Sequence, residues 1–247
     1  MMIVKERPLL CELHAHTTWS DGVLALPELV DLYGSNGFDV LVVSDHVLRS
    51  DDPWPLDNPG GAWVSEQSHG AYLQAIQAEA VRARAAYDLL LIPGLELTYN
   101  DPEPRLAGHA IAVGLRSFVS MDRGLGEAMS DARGSGAAIV AAHPHAPGIG
   151  RVDRVTQWFF YEWRLLGGLI DRFELFNRRE VFGWVANAGL PTVASGDFHR
   201  REHLSSWKTL LPCEKSEAAV VSYLRSGRPA YITRLERGAP QARRAAA

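Results

Sequence analysis

Seven of the nine histidines in this chain sit at or beside the ends of short apolar runs, with carboxylates close by. The first cluster reads Leu13-His14-Ala15-His16-Thr17-Thr18-Trp19-Ser20-Asp21-Gly22. Ser44-Asp45-His46, Gly94-Leu95-Glu96, Gly108-His109, His143-Pro144-His145 and Gly196-Asp197-Phe198-His199 follow it. Side chains two apart on a strand face the same way, so His14/His16, His143/His145 and Asp197/His199 can each aim as a pair. Neutral imidazole and carboxylate are the ligands that suit zinc, manganese or iron at a hydrolytic centre. One such pair would say little. The repetition predicts a metal-dependent enzyme.

The chemistry expected of such a centre is hydrolysis. Two cations about 3.5–4 Å apart can share a hydroxide and stabilise both the attacking and the leaving oxygen, and coordination brings the pKa of water towards about 7. No protein nucleophile is then required, and the sequence offers none. It contains no Gly-x-Ser-x-Gly elbow, no cysteine beside a histidine and no Gly-x-x-x-x-Gly-Lys phosphate loop.

The elements that must position these residues can be read from the hydropathy pattern. Seven apolar runs recur: Leu9 to His16, Asp39 to His46, Leu89 to Leu97, His109 to Leu115, Ala137 to His143, Arg172 to Phe176 and Pro191 to Ser195. Val40-Leu41-Val42-Val43 and Ala138-Ile139-Val140-Ala141 are continuously apolar, as in parallel strands buried on both faces. Between the runs lie helical segments. One carries Pro27 in its first turn and a stripe of Leu26, Leu29, Val30 and Tyr33; another starts near Ser65 and buries Leu73, Ile76, Ala80 and Tyr87. Strand and helix alternate, which predicts an α/β fold with a parallel sheet. The connections leaving strands are long and rich in Pro, Trp and charge, and the candidate ligands lie on that side, where the active face of an α/β barrel forms. The expectation is one domain over residues 1–237 and a disordered tail over 238–247.

The motif series His14-x-His16-Thr17-x-x-Ser20-Asp21-Gly22, Ser44-Asp45-His46, Glu96, His143-Pro144-His145 and Asp197-x-His199 resembles that of the polymerase and histidinol phosphatase (PHP) family, over roughly residues 9 to 200. The resemblance implies a distorted (β/α)7 barrel holding two or three divalent ions (Zn, Mn or Fe). By similarity, His14, His16, Glu96 and Asp197 would hold one ion and Asp21, His46 and His199 another, while Glu96 would bridge to a third shared with His109 and His143. The Gly108-His109 stretch is most similar to the branch that includes carbamate-ester hydrolases. Asp45 is expected to orient a ligand or cap a turn. His145 could donate a proton to the leaving group, contact substrate or simply pack, and His69 and His203 are expected to be solvated.

Substrate clues come from the cations and aromatic residues. Arg178, Arg179 and Arg200 follow candidate strands on the presumed active face, as does Arg49, where guanidinium could clamp phosphate or else pair with neighbouring Glu180, Glu202 and Asp51. Trp54, Trp63, Trp158 and Trp163 could stack on a ring or anchor the loops that carry them. Loop 47–63 is expected to form a lid or wall facing the substrate. The balance of 25 basic to 29 acidic residues gives no nucleic-acid signal. Two cysteines make no disulfide framework, and no stretch has signal-peptide or membrane-spanning character, so a cytoplasmic location is expected. The leading expectation is a phosphoesterase for a small organic phosphate or nucleotide-like molecule. The alternatives are an ester, carbamate or amide hydrolase, and a non-catalytic metal-stabilised domain.

Overall fold

The computed structural model describes residues 7–58, 60–148 and 156–236. In chain order the elements begin with β1 (Leu9–Glu12), α1 (Leu26–Ser35), β2 (Val40–Val43), β3 (His46–Val47), α2 (Trp54–Asp57), α3 (Glu66–Tyr87), β4 (Leu90–Tyr99) and β5 (Gly108–Val113). Then come α4 (Leu125–Gly134), β6 (Ala138–Ala142), α5 (Trp158–Glu162), β7 (Arg172–Asn177), β8 (Glu180–Val181), α6 (Gly183–Asn187), β9 (Thr192–Ser195), β10 (Trp207–Leu211), α7 (Glu217–Arg225) and β11 (Tyr231–Arg234). The tail expected from residue 238 lies outside the described residues.

All seven apolar runs become strands of one curled, mixed sheet. Its order is β11-β10-β1-β2-β4-β5-β6-β7-β8, with β3 also on β4 and β9 on β7. The pairs β1–β2, β2–β4, β6–β7 and β7–β9 are parallel, as the buried apolar runs suggested. The all-parallel expectation fails at β5, which runs antiparallel to both β4 and β6. The reason is length: residues 100–107 are too few for a crossover helix, so β4 and β5 form a long hairpin instead. A further departure is β10, which adds an antiparallel partner to β1 from sequence beyond the last expected strand.

The sheet curls until its ends approach. Ala15 and Phe198 form a parallel bridge in which His16 N–H donates to Phe198 O (2.9 Å) and Phe198 N–H donates to His14 O (3.1 Å). Beside it, the Thr209 hydroxyl donates to Ala194 O (2.7 Å) and accepts from Ala194 N–H (2.9 Å), tying β9 to β10. Successive residues of the central strands alternate between two cores. Leu41 and Val43 pack with α1, α3 and α4, whereas Val40 and Val42 join Ile92, Ile111, Val140 and α7 residues Val220 and Leu224. Buried Arg172 donates to the carbonyls of Leu224 (2.9 Å) and Tyr223 (3.0 Å), satisfying the last turn of α7.

α1 carries Pro27 in its first turn, and α3 is capped by Ser65, whose hydroxyl accepts from Ser68 N–H (3.2 Å). The deepest stripe of α3 is His69, Tyr72, Ile76 and Ala83, one step round from the expected one. His69 is thus buried against Tyr72 and Phe118 rather than solvated.

Candidate metal centre

The sheet brings all nine candidate ligands to one mouth. His14 and His16 leave β1 and are fixed by the bridge to Phe198. The chain then doubles back so that Gly22 passes over His16; a Cβ there would lie 2.4 Å from His16 O, which no side chain could accommodate. Asp21 is thereby turned toward the histidines. Glu96 lies on β4 in register with His46, and His109, opposite Thr98 and Ala142, starts β5. His143 follows β6, and Asp197 and His199 follow β9. His143, Arg178 and Asp197 all have positive φ (29°, 50° and 41°), strained backbone concentrated at the mouth.

Glu96 is the centre. Its Oε2 lies 3.3 Å from His14 Nε2, 3.3 Å from His16 Nε2 and 3.0 Å from His46 Nδ1. Its Oε1 lies 3.2 Å from both His109 Nδ1 and His143 Nε2. Asp197 Oδ1 is 3.5 Å from the Nε2 atoms of His14 and His16. Asp21 Oδ1 is 3.1 Å from His199 Nε2 and 3.5 Å from His46 Nε2. Four ligand sets can be drawn: His16/Asp21/His46/His199, His14/His16/Glu96, His14/His143/Asp197 and Glu96/His109/His143. His14 Nε2, His16 Nε2 and Glu96 Oε2 are buried without a hydrogen-bond partner. Three converging orphans are too costly for a purely structural cluster. The donor set suits divalent zinc, manganese or iron.

Electrostatics agree. Burial pushes the carboxyls of Glu96, Asp197 and Asp21 up, but surrounding imidazoles (and Arg178 at Asp197) more than reverse this, holding all three below the usual range. Burial pushes His199 down, yet Asp197 and Asp21 raise it to about 10. His109, more dominated by burial, falls to about 4. The cluster keeps its carboxylates ionised and so favours positive charge.

Residues outside the expected set orient the candidate ligands. Glu174 on β7 lies 3.0 Å from His14 Nδ1 and accepts from His143 N–H (2.7 Å), Asn177 Nδ2 (2.7 Å) and the Ser195 hydroxyl. A carboxylate inside the run Arg172 to Phe176 was the available signal, since such a group needs partners. Asp45 accepts from Thr17 N–H (2.8 Å), Thr17 Oγ1 (2.9 Å) and Ser20 Oγ (2.6 Å), and Ser20 Oγ is 3.3 Å from His16 Nδ1. Asp45 thus braces the loop, as expected. Thr98 Oγ1 holds His46 Nδ1 (2.7 Å), and Thr156 Oγ1 lies 3.1 Å from Nδ1 of both His143 and His145. Nothing in the sequence around Thr98 or Thr156 signalled these contacts.

A cavity of about 850 Å³ opens over the cluster, and His145, Arg178 and Arg179 line it. His145 packs edge-on against Phe182, its Nε2 3.6 Å from Glu180. Arg178 is committed inward: Nε donates to Asp197 O (2.9 Å), and Nη2 lies 3.0 Å from Asp197 Oδ2 and 2.8 Å from His199 Nδ1. Arg179 is exposed at the rim, whereas Arg200 is exposed and not among the lining residues. Arg49 stacks on Tyr99 and pairs with Asp51. Trp54 lines the cavity, while Trp158 and Trp163 pack on the core. His203, expected in solvent, is half-buried at the cavity and accepts from His199 N–H (3.1 Å); burial lowers it to about 4.

No protein-family model and no curated protein matches the sequence. Solved structures do. A two-domain protein from Bacteroides vulgatus, containing a predicted PHP-like metal-dependent phosphoesterase, superposes with a TM-score of 0.65 at 20% identity over 90% of this chain. The chain spans 64% of that protein's length. A structure from Bifidobacterium adolescentis, described as that of a metal-dependent phosphoesterase, gives 0.51 at 14% identity, covering 80% of this chain and 90% of its own. An amidohydrolase from Chromobacterium violaceum with bound sulfate and no metal gives 0.49 at 15% identity, covering 76% and 87%. The protein thus has the mixed α/β fold of structures described as PHP-like metal-dependent phosphoesterases, in keeping with its motif series.

Proposed function

We propose that this protein is a metal-dependent phosphoesterase releasing phosphate from a small organic phosphate. The observation that carries the reading is the convergence on Glu96 of five imidazoles, with the Nε2 atoms of His14 and His16 and Glu96 Oε2 buried and unpartnered. His14, His16, Glu96 and Asp197 would hold one ion, and Asp21, His46 and His199 a second. Glu96, His109 and His143 would share a third. Bound divalent ions supply Lewis acidity and bring the pKa of an attacking water toward neutrality. The chain's own groups do the rest. Glu174, Asp45 through Ser20, and Thr98 fix the imidazole rings; Arg178 fixes Asp197 and His199. His145, braced by Thr156, would protonate the leaving oxygen, and Arg179 at the rim would steer and hold the anion.

Phosphorus is favoured over a carbonyl centre by Arg179 and by the fold shared with the Bacteroides domain. The test is a screen of the purified, metal-loaded protein against phosphomonoesters, phosphodiesters and carbonyl esters, with and without strong chelator. Chelator-sensitive release of phosphate is expected, and Arg179→Met should weaken it by about ten-fold, the low end for a charge-assisted bond at an exposed site. Turnover of carbonyl esters alone would overturn the reading in favour of the ester, carbamate or amide alternative. Full activity in chelator would remove the metal mechanism altogether.

A further inference from the structure

The cavity has two unlike sides, and the sheet order explains why. The loops after β3 and β4, adjacent strands, supply Leu48, Pro53, Trp54, Pro102 and Pro104. The segments after β7 and β9, also adjacent, supply Arg179, Glu180, Glu202 and Ser206. Three prolines on the first side have no N–H to offer. Its two polar residues are spent locally: Asn100 joins Asp52 (3.0 Å) to His109 (3.1 Å), and Asp101 accepts from Glu103 N–H (2.9 Å).

Trp54 on that side is held in place before any ligand arrives. Its backbone N–H donates to Asp52 Oδ1 (2.9 Å), and its carbonyl accepts from Asn58 N–H (3.0 Å) and Asn58 Nδ2 (2.9 Å). Its indole lies against Gly61, where a Cβ would come within 2.4 Å of Cη2, and Trp63 packs edge-on at 6.4 Å. The same Asp52 carboxylate that holds the Trp54 backbone also holds Asn100 against His109, so hydrogen bonds link the segment carrying the indole to the candidate metal cluster.

From these features we infer that the leaving group of the substrate is neutral and ring-bearing, and that Trp54 with Pro53, Pro102 and Pro104 forms the wall that selects it. The inference rests on the phosphoesterase reading above. A polyol would place most of its hydroxyls against proline rings and the indole face, which offer them no hydrogen bonds, and this costs affinity. A polyanion would meet Glu180 and Asp101 with Arg179 as the cation facing it among the described residues, because Arg178 is turned to Asp197 and His199. A planar ring loses little on ordering and gains contact with a preorganised indole.

The test is calorimetric binding of benzylphosphonate and methylphosphonate to the metal-loaded protein, which does not depend on turnover. Benzylphosphonate should bind about ten-fold more tightly, as burial of one ring provides. Trp54→Ala should bring the ratio of the two affinities close to one, and Trp54→Phe should retain most of it. Gly61→Ala, which pushes the indole away while keeping Trp54, should reduce the ratio as well. Far-UV melting of each variant checks the fold, and Trp54→Phe with Gly61→Ala carries the test if Trp54→Ala does not fold. Equal affinities in the unmodified protein, or a ratio that survives both Trp54→Ala and Gly61→Ala, would overturn the wall and leave the phosphoesterase reading standing. If neither phosphonate binds and no phosphoester is hydrolysed, that reading falls and takes this inference with it.

Discussion

Two glutamates, Glu12 and Glu96, are both fully buried near the same mouth, yet their surroundings differ in kind. Glu12 is closed. Its Oε1 accepts from Gly196 N–H (2.8 Å) and His14 N–H (3.3 Å), and its Oε2 from Tyr33 OH (2.9 Å) and Lys208 Nζ (2.6 Å). Lys208 is itself fully buried and also reaches Ser206 Oγ (2.7 Å). Glu96 is open. Imidazoles crowd both its oxygens, and Oε2 is left without a hydrogen bond. A buried carboxylate needs compensation. The protein gives Glu12 its own cation, whereas the surroundings of Glu96 suit one from solution. Burial and residue type are the same in both places, so it is the list of partners that tells a brace from a ligand.

The sharpest way to break this comparison is to neutralise each carboxylate in turn. Glu96→Gln should abolish metal retention and reduce activity by at least about 10²–10³-fold, the scale for losing one preorganised electrostatic group. Melting temperature measured in chelator should fall only modestly, because the imidazoles that hold the Glu96 carboxylate ionised lose a counter-charge while an oxygen without a hydrogen bond is removed. Elemental analysis and thermal melts on one preparation check both halves. Undiminished metal content would contradict the central role of Glu96.

Glu12→Gln should act the other way. Removing one partner of a buried ion pair strands Lys208, at a cost of about 3–5 kcal/mol of stability. Denaturant unfolding should show the loss with metal absent, and Lys208→Met should give a comparable one. The double variant should fall well short of the sum, since the two sites are coupled. Additive losses would mean the pair is not a unit.

A smaller effect is expected of Glu174, which lies between these extremes because it binds His14 Nδ1 from behind. Glu174→Gln should lower metal affinity by about 10–100-fold, the range for a group that orients a ligating histidine. Competition with a chelator of known strength would measure it. An affinity equal to that of the unmodified protein would mean that the packing of β1 alone orients His14.

The smallest effect concerns a histidine remote from the cluster. Burial lowers the pKa of His69. Between that lowered value and about 6.5, the ordinary value for an unfolded chain, the unfolded state binds more protons. Stability should therefore rise with pH through that window and be lost as pH falls back through it. The difference in melting temperature between the unmodified protein and His69→Leu, followed in chelator from pH 5 to 7.5, should change by a few degrees in that direction. A difference independent of pH would show that His69 does not titrate there.

Much of this protein was settled by its sequence. The seven apolar runs mark strands because continuous β-branched and aliphatic stretches of that length are stable only when buried on both faces. The candidate ligands could be named because histidines and carboxylates recur together at the ends of such runs, where each is costly unless it has a task. Tertiary structure decided the rest. His109 stands at the beginning of its run, which in an all-parallel barrel would put it at the far end of the sheet. The short 100–107 connection reverses β5 and returns His109 to the mouth beside Glu96. The partners of Glu12 and Glu174 come from residues up to 196 positions away, and no local pattern encodes such pairings. Arg178 and Arg200 read alike in sequence, but one turns inward to Asp197 while the other stays in solvent. Periodicity reports which face of an element is buried; only the folded chain fixes what that face meets.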